Sequence, residues 1–428
     1  MKIGIIGGGY HGLVLGYFLS RENSVVVFEK EPEVGGLLRM VKVEGHDLEK
    51  YYHHIFFNDI HLKELFRDLD LEIEWLDSLT SVYINGRFLP FFKPTDLINF
   101  PFLGLLSKIR LGLGTFFLQN YKKGEKLNKI NASNWIRKIM GEEVWQVLWK
   151  PLFQGKFDSF YEDISLSWFW ARIFAKRGKS FGKGEILGYP KSGFQILADK
   201  LKESIEANGG QVKINEEVKG IEVIRNKATG VKTAKNTYNF DLVISTLPPA
   251  VFKKLLPSGC RDFQHELGKV EYLGAISTIL VLKEKLTPAY WNNILDPQIP
   301  FKGIIEHTNW IDKSRYGGLH LAYLSHYTPV SSKFFLASNE KLMEMYRPHL
   351  LKIDKNFNNK LAGYYIGKDF YCQPIVKVNY PKTIIDYKTP IENLYQFSMA
   401  QIFPEDRGLD AATEKAKEIS MEINYLKK

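Results

Sequence analysis

A glycine-rich turn near the N-terminus is the part of the sequence whose residue types and spacing point most directly to chemistry. Gly7, Gly9 and Gly12 form a Gly-x-Gly-x-x-Gly pattern between a short apolar segment and a helical one. Such glycines permit a tight turn, a close approach of the backbone to a pyrophosphate, and close helix–strand contact. Glu29 follows seventeen residues after Gly12, where a carboxylate can accept hydrogen bonds from ribose hydroxyls. The turn therefore predicts a dinucleotide site.

The residues after Glu29 favour FAD over NAD. An acid, a short spacer and Gly35-Gly36 together resemble the extended fingerprint of FAD-binding proteins with two dinucleotide-binding domains. Two residues without side chains allow the backbone a second approach to the pyrophosphate. We therefore expect FAD to be the cofactor, bound in this region by Gly7, Gly9, Gly12, Glu29, Lys30, Gly35, Gly36 and Leu37.

The elements that must position this turn follow a β-α-β order. Residues 2–6 and 24–28 are short and apolar, and residues 10–20 between them are predicted to be a helix. A β-α-β unit predicts parallel strands. Later segments are predicted to add further elements, namely helices at 194–208 and 410–426 and strands at 240–246, 273–283, 318–325 and 394–399.

The sequence changes character between about residues 56 and 190, where helical patterns and aromatic residues dominate. We interpret this region as a largely helical insertion. The predicted fold class is α/β, with a Rossmann-like FAD-binding domain and a discontinuous substrate domain of mixed sheet and helices. The predicted FAD-binding domain comprises 1–55, 192–255 and 380–428, and the substrate domain comprises 56–191 and 256–379.

The most apolar stretch runs from residue 97 to residue 118. Pro101, Lys108 and Arg110 interrupt it, so it does not predict a membrane-spanning helix. Burial in the core is the favoured interpretation, and contact with one face of a membrane is the alternative.

Composition excludes several classes of function. The 428 residues include 58 Lys and Arg against 48 Asp and Glu, a formal charge of +10, and the basic residues are too scattered to predict a nucleic-acid partner. The two cysteines, Cys260 and Cys372, are far apart, which excludes a disulfide framework or a cysteine-rich metal site. No secretory signal pattern precedes the first strand, and we expect a cytoplasmic protein without a metal ion. The oligomeric state stays open.

Most of the chain resembles the FAD-dependent amine oxidase and protoporphyrinogen oxidase superfamily, and it is also similar to UDP-galactopyranose mutase. The segment 50–56 resembles the mutase segment in which the backbone of a histidine faces the flavin, which implies that role for His54. The resemblance also implies contact of Val218 with adenine and of Asp406 and Gly408 with the ribityl chain. Lys191 follows the glycine turn beside the flavin and is a candidate cation, so His54 and Lys191 are the predicted catalytic residues.

Two departures separate the chain from the mutase. The mutase has an arginine where this chain has Ser398 or Met399, and another where it has Gly303. A nucleotide diphosphate would lose its bidentate, charge-assisted partners without them. We therefore expect oxidation of a small-molecule substrate by hydride transfer to the flavin. The alternatives are a redox-neutral mutase or isomerase acting on a sugar nucleotide, and a flavoprotein without catalytic activity.

Overall fold

The computed structural model describes residues 1–175 and 184–425. Its N-terminal unit confirms the predicted β-α-β order, because the two strands pair in parallel and the helix between them is buried on nearly every side. A helix that is apolar all round, as this one is, belongs in a protein core. With strands numbered in chain order, five of them form a parallel sheet in the order β10 (Gln211–Lys213), β2 (Ser24–Phe28), β1 (Lys2–Ile6), β14 (Leu242–Ser245) and β20 (Leu394–Gln396).

A seven-stranded mixed sheet forms the second large layer. All its neighbouring strands are antiparallel except one parallel pair, in which Trp291 lies opposite Thr80. The two sheets confirm the predicted α/β class, whereas the proposed domain boundaries stay a prediction. The order of this sheet is β19 (Leu361–Pro374), β15 (Tyr272–Leu282), β18 (His320–Thr328), β17 (Gly303–Glu306), β16 (Trp291–Ile294), β7 (Thr80–Ile84) and β8 (Arg87–Pro90).

Three small sheets complete the strands of the described residues. The prediction that residues 56–190 are largely helical is confirmed for residues 94–175, but the region also supplies two strands to the seven-stranded sheet and two to a small one. The small sheets contain β3 (Met40–Val43) and β4 (His46–Glu49); β5 (Ile55–Phe56), β9 (Glu185–Pro190) and β6 (Ile73–Ser78); and β11 (Val218–Ile224), β12 (Lys227–Thr233) and β13 (Thr237–Asn239).

Helices cover both large sheets. The last helix begins one residue before its predicted start and packs on the first, where the Tyr10 hydroxyl lies 2.6 Å from Thr413 Oγ1. Leu426, its predicted end, lies outside the described residues. The helices are α1 (Tyr10–Ser20), α2 (Ile60–Asp68), α3 (Pro94–Ile98), α4 (Leu105–Asn120), α5 (Ala132–Ile139), α6 (Glu142–Val144), α7 (Lys150–Phe157), α8 (Leu166–Ala175), α9 (Gln195–Ala207), α10 (Pro249–Phe252), α11 (Arg261–Leu267), α12 (Lys333–Leu336), α13 (Asn339–Ile353), α14 (Phe357–Lys360) and α15 (Leu409–Tyr425).

The apolar stretch at 97–118 is only half buried, so the prediction that it is buried is wrong for one of its faces. Leu111 and Leu118 of α4 lie in the core of the helical region, whereas Leu105 and Leu113 are 76% and 65% exposed. Among the described residues, no helix combines the length and the apolar character needed to cross a membrane.

Candidate functional site

The glycine-rich turn forms a steric cradle at the start of α1. Gly7 has a φ of +109°, which favours glycine. A methyl group on Gly12 would stand 1.9 Å from the carbonyl oxygen of Gly7, so helix and turn are in direct contact. The nearest atom to a methyl group on Gly9 would be the Cα of Gly36, at 3.8 Å, which leaves the backbone of Gly9 open to a ligand.

Gly35 and Gly36 close this cradle from the other side. The N–H of Gly35 donates to the carbonyl of Gly8 at 2.8 Å, and a methyl group on Gly36 would lie 3.1 Å from the Cα of Gly9. Both glycines have positive φ values, +112° and +60°. We call residues 7–12 with 35–36 the glycine cradle. Of the other predicted residues here, Lys30 is exposed beside Glu31, and Leu37 is half-buried.

Glu29 fastens the backbone around the glycine cradle. Its carboxylate accepts hydrogen bonds from the N–H groups of Gly8 and Glu31, both at 2.9 Å, and the side chain is buried. The sequence predicted only a contact with ribose. Each carboxylate oxygen can accept a second hydrogen bond, so Glu29 can bind ribose hydroxyls while it holds the backbone of Gly8 and Glu31.

Two features of the glycine cradle fit a bound dinucleotide. No described side chain caps the N-terminus of α1, so its backbone N–H groups and its positive dipole end are available to phosphates. His11, in the first turn of α1, is half-buried, but its Nε2 is enclosed and has no hydrogen-bond partner among the described residues. Burial lowers the pKa of His11 to about 4, so the ring is neutral near pH 7. A cofactor bound here would supply hydrogen-bond partners for the uncapped N–H groups of α1 and for Nε2 of His11.

His54 lies among aromatic rings. Its ring centroid lies 4.7 Å from that of Phe56 and 5.7 Å from that of Trp291. Its Nδ1 lies 3.3 Å from the Tyr290 hydroxyl. These contacts orient the imidazole, whereas the resemblance assigns the backbone of His54 to the flavin, and that assignment stays a prediction.

The residues before His54 tie this segment to the seven-stranded sheet and to the start of α9. The Tyr52 hydroxyl lies 3.1 Å from Ser325 Oγ on β18. The ring of His53 packs 5.4 Å from that of Phe194, directly before α9. Burial lowers the pKa of His53 to about 4, so it is uncharged near pH 7. We call residues 51–54 the aromatic wall.

A charged cluster surrounds Asp406. Its Oδ2 lies 3.1 Å from both Lys156 Nζ on α7 and Arg172 Nη1 on α8, and the Trp168 Nε1 lies 3.4 Å from its Oδ1. Burial alone would raise the pKa of the Asp406 carboxyl, but the neighbouring cations hold it well below its usual range. Burial also lowers the pKa of Lys156 to about 7 despite this pairing. The predicted bond from Asp406 to a ribityl hydroxyl stays a prediction.

Arg407 links this cluster to the aromatic wall. Its Nε donates to Gln373 Oε1 at 2.8 Å, its Nη2 donates to the Tyr327 hydroxyl, and its charge acts on His53. The side chains of Asp406 and Arg407 bond different, inward-lying partners. We call the set Lys156, Arg172, Asp406 and Arg407 the charged cluster.

The remaining predicted site residues have more local contacts. The ammonium of Lys191 lies 2.5 Å from Glu72 Oε2, and its side chain is 64% exposed. This contact favours a surface role, and the predicted catalytic role has no support from the described contacts. Val218 is buried in the same core cluster as Phe28 of the parallel sheet. The N–H of Gly408 donates to the carbonyl of Asp406 at 2.6 Å, immediately before α15.

Glu49 is a buried carboxyl that the sequence did not bring to attention. It accepts hydrogen bonds from the Tyr189 hydroxyl at 2.7 Å and from the N–H of Phe194 at 2.9 Å. Burial raises its pKa. Glu49 joins β4, β9 and the start of α9. Its place in the sequence, directly before the aromatic wall, was the only indication that it belongs to the site.

Lys156 and Arg172 had no such indication, because they lie in separate helices far from the other site residues in the sequence.

One known family matches most of this chain. Flavin-containing amine oxidoreductases match residues 12–363 of this chain. The chain belongs to that family. As a flavin-containing amine oxidoreductase it is an FAD-dependent oxidoreductase, and the expected cofactor and enzyme class are confirmed.

The individual proteins that resemble this chain have low sequence identity to it. The chain is 28% identical over 263 residues to an uncharacterised protein of Methanocaldococcus jannaschii, covering 60% of each chain. It is 24% identical over 258 residues to coproporphyrinogen III oxidase of Bacillus subtilis, covering 53% of this chain and 54% of that one. The chain thus spans little more than half the length of these relatives. Reduced UDP-galactopyranose mutase shares the fold, with a TM-score of 0.76, 15% identity, and coverage of 99% of this chain and 96% of that chain.

Proposed function

We propose that this flavin-containing amine oxidoreductase oxidises a small-molecule substrate, with FAD as the hydride acceptor. The observation that carries the proposal is the glycine cradle and its backbone link to the aromatic wall. The N–H of Lys50, directly before the wall, donates at 3.1 Å to the carbonyl of Arg39, three residues after the cradle. The charged cluster adds the C-terminal segment, because Arg407 donates to the Tyr327 hydroxyl and its charge acts on His53 of the wall. A protein that only binds the cofactor needs the glycine cradle. An enzyme also needs groups such as the aromatic wall and the charged cluster around the reacting part of the cofactor.

Each segment has a distinct task in this proposal. The uncapped start of α1 and the glycine cradle hold the pyrophosphate, Glu29 holds the ribose of the adenosine, and Val218 contacts the adenine. The aromatic wall lies against the flavin through the backbone of His54 and excludes water from it. When bound, FAD supplies the acceptor for the two electrons and the hydrogen that leave the substrate as a hydride.

The charged cluster supplies positive charge. Three cations surround one carboxylate, which gives the cluster a net charge of +2 while Lys156 is protonated. Fixed positive charge in a partly buried site favours negative charge on a bound cofactor or substrate. Because burial lowers the pKa of Lys156 to about 7, this lysine is also the member of the cluster that can release or take up a proton near neutral pH.

The mutase alternative has less support. The positions of the two mutase arginines are occupied by Gly303, in β17, and by Ser398 or Met399, none of which carries a guanidinium. The shared fold says nothing of the reaction, because the identity to the mutase is 15%. The relative named as an oxidase, with 24% identity, favours net oxidation.

The cysteines bear on the cellular compartment in which the proposed reaction takes place. Cys260 and Cys372 are both free thiols, and burial raises the pKa of each. Two unpaired thiols suit a reducing compartment. We therefore place the activity in the cytoplasm.

The test is anaerobic mixing of the purified holoprotein with candidate substrates while the absorbance of the oxidised flavin is followed. We expect stoichiometric bleaching by one class, with a porphyrinogen and an aliphatic amine as the first candidates, and recovery of the absorbance when air is admitted. A flavin that stays oxidised with every candidate would support the non-catalytic alternative. Conversion of a sugar nucleotide only after prior reduction, without net electron flow, would support the mutase.

A further inference from the structure

Helix α4 exposes a continuous apolar face. Leu105, Leu106, Leu113 and Phe116 are between 65% and 76% exposed, and Ile109 is 51% exposed. At 100° per residue these five side chains fall within about 100° of the helix circumference. Apolar surface of this extent on one helix marks a contact site, because isolated exposed apolar residues are common but contiguous ones are not.

The other side of α4 accounts for its attachment to the protein. Leu111 and Leu118 are buried in the core of the helical region, and a methyl group on Gly114 would lie 2.8 Å from the side chain of Met140. The helix is therefore fixed along its inner side. The side chains of its outer apolar face belong to none of the described core clusters.

Basic residues border this face. By the same helical geometry, Lys108 and Arg110 lie on its two flanks, where Lys108 donates to the carbonyl of Ile98 and Arg110 to carbonyls at the end of α5 while both remain partly exposed. Residues 93–150 carry ten basic and four acidic side chains, so a 58-residue stretch accounts for +6 of the net +10 of the chain. Lys122 and Lys123, directly after α4, are exposed.

We propose that α4 docks the protein on an anionic lipid surface, with its apolar face among the acyl chains and its basic border against the headgroups. An apolar stripe flanked by cations is the pattern of helices that lie in the plane of a membrane interface. A second copy of this chain is a poorer occupant, because it would bring two +6 regions together. Lipid headgroups of opposite charge complement them.

Docking would bring the charged cluster close to the lipid. Helix α4 packs against α8, which carries Trp168 and Arg172 of the Asp406 surroundings. The membrane face and the site are thus joined by one helix. This inference does not depend on the identity of the substrate.

The test is flotation of the holoprotein with vesicles of phosphatidylcholine alone or mixed with phosphatidylglycerol. We expect binding to the anionic vesicles that weakens as salt is added. Leu106→Gln, Leu113→Gln and Phe116→Gln combined should lower the affinity at least tenfold. Lys122→Gln with Lys123→Gln should lower it about 25-fold, since each lysine near an anionic surface contributes about fivefold.

Matched variants serve as controls. Ile224→Gln, Leu336→Gln and Met421→Gln combined remove side chains that are 59–71% exposed elsewhere, and Lys235→Gln with Lys254→Gln removes two other exposed lysines. These variants should bind vesicles as the wild type does, and all variants should keep their flavin. Absence of vesicle binding by the wild type would overturn the proposal. So would a dimer in sedimentation analysis that only the α4 triple variant dissociates.

Discussion

Replacing Asp406 by asparagine removes the only carboxylate of the charged cluster and leaves the shape of the side chain unchanged. Lys156 and Arg172 would each lose a charged contact of 3.1 Å. Removing one partner of a fully buried ion pair costs about 3–5 kcal/mol. The side chains of Lys156 and Arg172 are 20% and 36% exposed, so water screens part of the effect. We therefore expect Asp406→Asn to lower the free energy of unfolding by about 2 kcal/mol.

Urea unfolding followed by tryptophan fluorescence measures this loss. The matched control is Asp47→Asn, which removes an ion pair of 2.8 Å to Lys42 whose side chains are 55% and 71% exposed. Exposed pairs contribute under about 1 kcal/mol, so the control should change little. Lys156→Met added to Asp406→Asn should restore part of the loss, because it removes an unpaired, mostly buried cation. A loss no larger than that of the control would refute the view that the cluster is a mutually dependent unit.

Three further predictions concern the cofactor, pH and the rival reaction. Gly12→Ala should reduce the flavin content at least tenfold, because its methyl group would lie 1.9 Å from the Gly7 carbonyl, whereas Gly259→Ala, with no atom within 4 Å, should not. Burial raises the pKa of Glu306 from 4.5 to about 7, so its contribution to stability is fully present below pH 4.5 and is lost as the pH rises through 7. The stability of Glu306→Gln relative to the wild type should therefore increase from about pH 5 to about pH 8 in urea unfolding, and an unchanged difference would refute the shift. Dithionite-reduced protein should not interconvert UDP-galactopyranose and UDP-galactofuranose; products separated at an ordinary enzymatic rate would restore the mutase.

The part of the fold that the sequence predicts best is also the most local. The first strand, α1 and the second strand follow one another within residues 2–28, and their apolar pattern and glycines are read without knowledge of the rest of the chain. The steric reason for Gly12 is likewise local, because its contact is with Gly7. Lys191 shows the limit of this reasoning, because the partner that holds it at the surface, Glu72, lies far away in the sequence.

The charged cluster could not be predicted in this way. Asp406 contacts Lys156 and Arg172, which lie 250 and 234 residues away in the sequence. No pattern around any of these three residues predicts that the other two are its neighbours. The strands at 73–78 and 80–84 were missed because they pair with the distant segments 185–190 and 291–294. The strand at 87–90 forms a local hairpin with 80–84 across Asn85-Gly86, and this turn is a signal that the sequence did contain. The exposed face of α4 was missed for a related reason: α4 has apolar residues on two opposite sides, and the sequence does not show which of the two sides a neighbour covers.

The measurement that tests the central claim most directly is the identity and amount of flavin released when the purified protein is denatured. FAD uses the whole site, from the glycine cradle and Glu29 to the aromatic wall, so we expect a yellow protein that releases close to one FAD per chain. Gly9→Val should release almost none, because its side chain would occupy the open side of Gly9. Release of FMN, or a colourless protein that fails to bind added FAD, would contradict the account.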